Sequence, residues 1–348
     1  VSPATLTVDG LLRANTLTTP GILTLRDASQ LVVDTAWSHT GTLNVSGAAS
    51  LSGPLDIDGG NVNLAAGSSL SSSDSAVRWN GGTIAATGSL DLQGEATLAI
   101  DAFGSGARVL AGPDLRVDTF DLAAGSVEIQ QGTLRLPNGG TVAAGRSLMA
   151  YGGGLDIGGV FSIAGDVITQ GNATLLASAP VTVEAGGLLR SDDGSMRFTD
   201  ALVVDGTLEA FAGVTRLDGT GTYTHGGTFR SLPGASLVFG AGTHRFGDGS
   251  VFDLNGTLVN NSQFVLFGQN SGLTVAAGSL LNLGVANFSG NGVLNNLGTV
   301  SADGVAFSGR LLNAGTANLR NGTALAAGFY NMGDLNIVSG TVTALGAT

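Results

Sequence analysis

The chain contains no cysteine, so no disulfide, thiolate metal site or cysteine nucleophile enters its chemistry. Lysine is also absent: all 14 basic residues are arginine, set against 26 acidic residues for a net charge of −12. The arginines are scattered singly from Arg13 to Arg320, without the clustered basic stripe that nucleic acid or anionic lipid requires, and neither is expected as a partner. Proline occurs 7 times in 348 residues and aromatic residues make up 5%. No apolar run approaches the roughly 18 residues of a membrane-spanning helix, because Gly, Ser, Thr or Asp interrupts each one, so no membrane insertion is expected in this segment. Helical periodicity is missing too: windows with apolar residues at i, i+3, i+4 and i+7 are broken by internal glycine. The opening residues from Val1 do not form a charged, apolar, small-residue leader, which fits a mature product.

What the chain does have is glycine, 57 residues of it, and short alternating apolar runs such as Thr5–Val8 and Ile22–Leu25 that read as half-buried strands. The unit Gly-Thr-apolar returns at Gly41, Gly82, Gly132, Gly140, Gly206, Gly227, Gly256 and Gly298. Each reads as a corner with positive φ followed by a strand that the β-branched Thr begins. A second unit, apolar-Ala-Ala-Gly, recurs at Leu64, Leu122, Val142, Val275 and Leu325, where small residues let the chain turn tightly against the coil above.

From Asn287 to Gly340 the chain divides into three blocks of eighteen, which align Asn295, Asn313 and Asn331 in one column. Strict alternation then puts Val293, Leu297, Val305, Phe307, Leu311, Leu319, Leu325, Phe329, Leu335 and Ile337 on the inward face together with those asparagines. Stacked about 4.8 Å apart, the amides are expected to form an internal ladder. The fold expected is all-β: a single parallel β-helix, or β-solenoid, over residues 1–348 with about 18–21 residues per coil. Drift in the spacing upstream of residue 287 favours a right-handed helix over a left-handed one built on strict hexads. Residues 1–40, where Trp37 and His39 interrupt the pattern, are expected to form a cap or first coils; residues 190–245 are expected to carry longer loops; residues 287–340 are the most regular.

Leu294–Val300 (LNNLGTV), Leu311–Ala317 (LLNAGTA) and Phe329–Leu335 (FYNMGDL), with the Ala-Ala-Gly turns, resemble the repeats of filamentous-haemagglutinin-like exoproteins and autotransporter passenger domains. The likeness implies a secreted or bacterial cell-surface chain that acts as an adhesin, matrix or fibre component. It also implies a glycan or cell-surface receptor as partner.

A polysaccharide-acting enzyme is the alternative, since such enzymes need two or three carboxylates or a basic residue on neighbouring coils. The nearest approach is Asp192 and Asp193 with His225 and Arg230. Solvated loop residues are the reading preferred for these four, so no catalytic set is expected. His39 and His244 lack an acidic or histidine neighbour at metal-ligand spacing and are expected on the surface. No metal or cofactor is expected. Open solenoid ends expose unpaired strand edges, from which end-to-end self-association into fibres is expected.

Overall fold

The computed structural model describes residues 4–344 apart from 66, 73–76, 81–82, 87–88, 100–108, 111–113, 125, 130–131, 218–221, 248–249, 261–262, 267–271, 284–287, 291 and 326–327. Gly82, Gly125 and Asn287 of the repeat units, with Ala66, Ala326 and Ala327, therefore lie outside the described residues. The fold is all-β, with parallel stacked strands forming a β-solenoid and no helix among the described residues. Contacts divide the chain into two compact units, Val1–Ala179 and Pro180–Thr348.

In the first unit, strands Thr5–Val8, Ile22–Arg26, Thr42–Ser46, Asn61–Leu64, Thr83–Ala86 and Val109–Leu110 stack in that order. Their registers step by 17 from Thr5 to Ile22, by 20 to Thr42, and by 25 from Ile84 to Val109. Long strands such as Leu11–Thr19 and Ser29–His39 turn a corner within themselves, with a register shift after Ala14. From Ser126 each coil has three short strands. Ser126–Ile129, Thr133–Leu136 and Gly140–Val142 pair with Ser147–Tyr151, Gly154–Ile157 and Phe161–Ile163 on the next coil. The variable coil length is what argues against a left-handed coil of fixed hexads.

The second unit repeats the pattern. Leu188–Asp192, Thr207–Ala210, Thr228–Ser231 and Val251–Leu254 form one column, and Gly272–Val275, Val293–Asn296, Arg310–Asn313 and Phe329–Asn331 form another. Among the described residues, the connections between Asp192 and Thr243, where longer loops are expected, are short, at two to four residues. AspAspGly at 192–194 is a tight turn in which Asp193 takes φ of 59°.

Alternation buries one side of most strands among the described residues. Leu23, Leu25, Leu43, Val45, Val62 and Leu64 are almost wholly buried along one column of the first unit. Burying this apolar surface is the dominant favourable term, at about 25 cal/mol per Å². The inward parity is not uniform, however. Leu294, Val300 and Ala302 are interior, and the odd positions take over only from Val305, Phe307, Leu311 and Leu319. Leu297 is 46% exposed, against expectation, because it sits in the turn after Asn296. Val293 and Phe329 are half-buried. Leu335 and Ile337 stack in register on the buried Ala317 and Leu319, but their strand is the outermost described one of its column, which leaves them exposed.

The two glycine units only partly keep the roles their composition suggests. Gly132 and Gly140 have the expected positive φ, 77° and 148°, but Gly41, Gly206, Gly227, Gly256 and Gly298 do not. Glycine is required there by close approach: a Cβ on Gly41 would lie 1.8 Å from the carbonyl oxygen of Gly21 on the coil below. The Ala-Ala-Gly turns carry the left-handed backbone instead, with φ of 71° at Gly145 and 84° at Gly278, where a Cβ would meet nothing.

Candidate functional site

Polar chemistry in this fold is arranged in columns along the stack, since parallel register puts each side chain beside its counterpart about 4.8 Å away. A charged column lies on the outer face of the second unit, where Arg190, Glu209, Arg230 and Asp253 are successive register partners. Leu189, Leu208 and Phe229 beside them point inward and are fully buried, which fixes the charged residues outward. Glu209 bridges the column: its carboxylate lies 3.1 Å from Arg230 Nη1 and 3.6 Å from Arg190 Nε. Arg230 Nε donates to Asp253 at 3.0 Å and Arg190 Nη2 to Asp192 at 3.1 Å. The Arg190 guanidinium also stacks 3.8 Å over the Phe211 ring. The hydrogen bond that Arg230 donates to Glu209, then the one it donates to Asp253, raises its pKa against the opposing effect of burial, so the guanidinium stays charged.

Of the four residues of the alternative catalytic set, Asp192 and Arg230 are thus ion-paired on the outer face and Asp193 forms a turn. His225 is 1% exposed in the interior. The wall of the coil separates it from the other three side chains, and the set is not assembled.

The remaining two histidines are interior as well, contrary to the surface placement expected for them. His244 is 1% exposed and His39 is fully buried. His244 Nε2 lies 3.2 Å from the Ala241 carbonyl oxygen, which only accepts, so that nitrogen carries the proton. Its Nδ1 is then an acceptor for His225 Nε2–H at 3.3 Å. The pair sits among Tyr223, Phe229, Phe239 and Phe246. Burial lowers the pKa of both rings, to about 4 for His244, and the neighbouring His244 lowers that of His225 further. Trp37 and His39 are not a cap or loop: both lie on strand Ser29–His39 with side chains inward. Trp37 Nε1 donates to Thr19 Oγ1 at 3.0 Å, and the same oxygen lies 2.7 Å from His39 Nδ1.

The asparagine ladder exists but begins one residue later than the eighteen-residue alignment places it. Asn296, Asn313 and Asn331 are the register partners, and Asn295 pairs with Leu312 instead. Asn296 Nδ2 donates to Asn313 Oδ1 at 2.5 Å and to the Thr316 carbonyl at 2.9 Å. Asn313 repeats the pattern, donating to Asn331 Oδ1 at 2.6 Å and to the Asp334 carbonyl at 3.0 Å. On the preceding coil the partner of Asn296 is Val275, so Asn296 Oδ1 is left buried without a hydrogen bond.

Among the described residues no group of three or more His, Cys, Asp and Glu side chains is placed to hold a metal ion. What sequence reasoning missed is the pairing of arginines: Arg116 with Arg135, and Arg197 with Arg216, are register neighbours. Their common offset of 19 residues, one coil length, was the available signal. Comparison with known proteins finds no matching family model, no matching curated protein and no matching solved structure.

Proposed function

We propose that this chain is a structural and adhesive segment of a secreted or surface-displayed bacterial exoprotein, of the filamentous-haemagglutinin or autotransporter-passenger kind, and that it performs no catalysis. The observation that carries this reading is where its polar groups are directed. Arg190, Glu209, Arg230 and Asp253 neutralise one another between coils, as do the outer pairs Arg13–Asp34 at 3.1 Å and Arg26–Asp9 at 3.4 Å. The outer amide pairs Asn63–Asn44 and Asn336–Asn318 likewise bond across one coil step. Groups bound in this way stiffen a stack and present a contact surface for a glycan or receptor. Unpaired strand edges at the ends of such a stack suit end-to-end assembly into fibres.

The test combines electron microscopy of the purified chain with adhesion of chain-coated beads to bacterial and host surfaces. Extended particles that mediate adhesion support the reading. Turnover of a polysaccharide that Asp192→Asn or Asp193→Asn abolishes would replace it with an enzymatic one.

A further inference from the structure

On the outer face of the first unit, Arg116, Arg135 and Asp156 occupy one column through the registers Arg116↔Arg135 and Arg135↔Asp156. Val117, Leu134, Leu136 and Ile157 beside them are buried, so alternation turns the three charged side chains outward. They border a groove of about 400 Å³ whose wall also includes Pro137, Gly158 and Ser178. Two guanidinium groups at strand spacing repel each other, and an anion shared between them relieves that repulsion. Each arginine also interacts with a group within the chain.

The rest of the wall narrows the anion's identity. Asp156 accepts hydrogen bonds only, Ser178 both donates and accepts, and Pro137 offers an apolar surface. A sulfate, with no proton to give at neutral pH, gains nothing from Asp156 and is repelled by it. Asp156 follows Arg116 and Arg135 in the column, so the pattern is +, +, − and matches a single monoanion better than a dense polyanion. A carboxylate attached to a hydroxyl-bearing ring uses every part of the wall.

We propose that this groove binds a uronic acid unit of an acidic polysaccharide. Arg116 and Arg135 share its carboxylate through fork-shaped donor pairs, and Asp156 and Ser178 take ring hydroxyls. The inference rests on the reading of the outer surface as a contact surface and names the class of glycan contacted.

Isothermal titration of the whole chain with a tetrameric uronate oligosaccharide tests it, alongside the same oligosaccharide with its carboxyls reduced to alcohols and a sulfated one. Saturable binding of the uronate is expected, at least tenfold tighter than the reduced form, a comparison that needs no variant. Arg116→Gln and Arg135→Gln are each expected to weaken it at least tenfold, about 1.4 kcal/mol. Arg135→Lys should also weaken it, because an ammonium cannot chelate, and Arg13→Gln should leave it unchanged. No saturation by about 10 mM uronate, equal affinity for the reduced form, tighter binding of the sulfated form, or unchanged affinity in both glutamine variants would overturn the proposal. None of these results touches the scaffold reading, which microscopy and bead adhesion decide separately.

Discussion

Nε2 of His225 lies 3.3 Å from Nδ1 of His244 inside the second unit, and both rings are neutral because burial lowers their pKa values. Folded pKa values below the unfolded 6.5 mean that the unfolded chain binds more protons under acid conditions. The pair's contribution is therefore complete above about pH 6.5 and is lost as pH falls from there through about 4. For His244 alone the fall from 6.5 to about 4 amounts to roughly 3 kcal/mol at about 1.4 kcal/mol per unit. Hydrogen exchange of strands Thr222–His225 and Thr243–Phe246 should accelerate, after correction for intrinsic rates, between pH 6.5 and 4. His244→Phe should flatten that dependence. An unchanged acid response in the variant would place its origin elsewhere.

Replacing Asn313 by Leu keeps the branched shape but cuts the ladder in the middle. The Asn296 amide loses an acceptor and Asn331 loses its donor. A destabilisation of about 1–3 kcal/mol is expected from the buried group left unpaired. Asn295→Leu, at a position outside the ladder, should have much the smaller effect. Denaturant titration compares the two, and equal losses would contradict the register.

Glycine variants separate close approach from backbone strain. A Cβ on Gly315 would lie 2.1 Å from the Gly298 carbonyl oxygen, itself the acceptor for Thr316 N–H, so Gly315→Ala must push two coils apart. Gly278→Ala meets no atom and carries only the cost of a left-handed alanine, about 1 kcal/mol. The thermal midpoint should therefore fall further for Gly315→Ala.

The charged column should respond weakly. Glu209 is largely buried between Arg190 and Arg230, but both arginines reach solvent. Glu209→Gln is expected to cost about 1 kcal/mol at low salt and less at about 1 M, where screening is strong. A loss of the same size at both ionic strengths would mean that the carboxylate acts through packing instead of charge.

The coil repeat was legible because its causes are local: glycine where backbones touch, β-branched residues at strand starts, and alternation along each strand. The ladder's position was not. Asn295 and Asn296 are adjacent, and the step is 17 from Asn296 to Asn313 but 18 from Asn313 to Asn331, so alignment in eighteens selects the wrong one. Inward parity failed for a related reason, since a turn at Gly304 exchanges odd for even. The histidines were misplaced because polarity alone suggests solvent, whereas a neutral imidazole with an acceptor and aromatic neighbours fits an interior. Arg116 and Arg135 look isolated along the chain and become neighbours only when one coil length is folded between them.

Coil register underlies the ladders, the arginine groove and the glycine corners alike, and the absence of native cysteine makes it directly measurable. Ser301 and Asn318 are partners on adjacent parallel strands and both are only partly buried. Strand neighbours about 4.8 Å apart lie within the span of a disulfide. In the double variant Ser301→Cys/Asn318→Cys, air oxidation should close an intramolecular disulfide, seen as a mass loss of about 2 Da with the fold intact. The eighteen-step pair Ser301→Cys/Leu319→Cys should stay reduced, because Leu319 points inward. Oxidation of the second pair but not the first would contradict the register, and with it the account of how these coils are built.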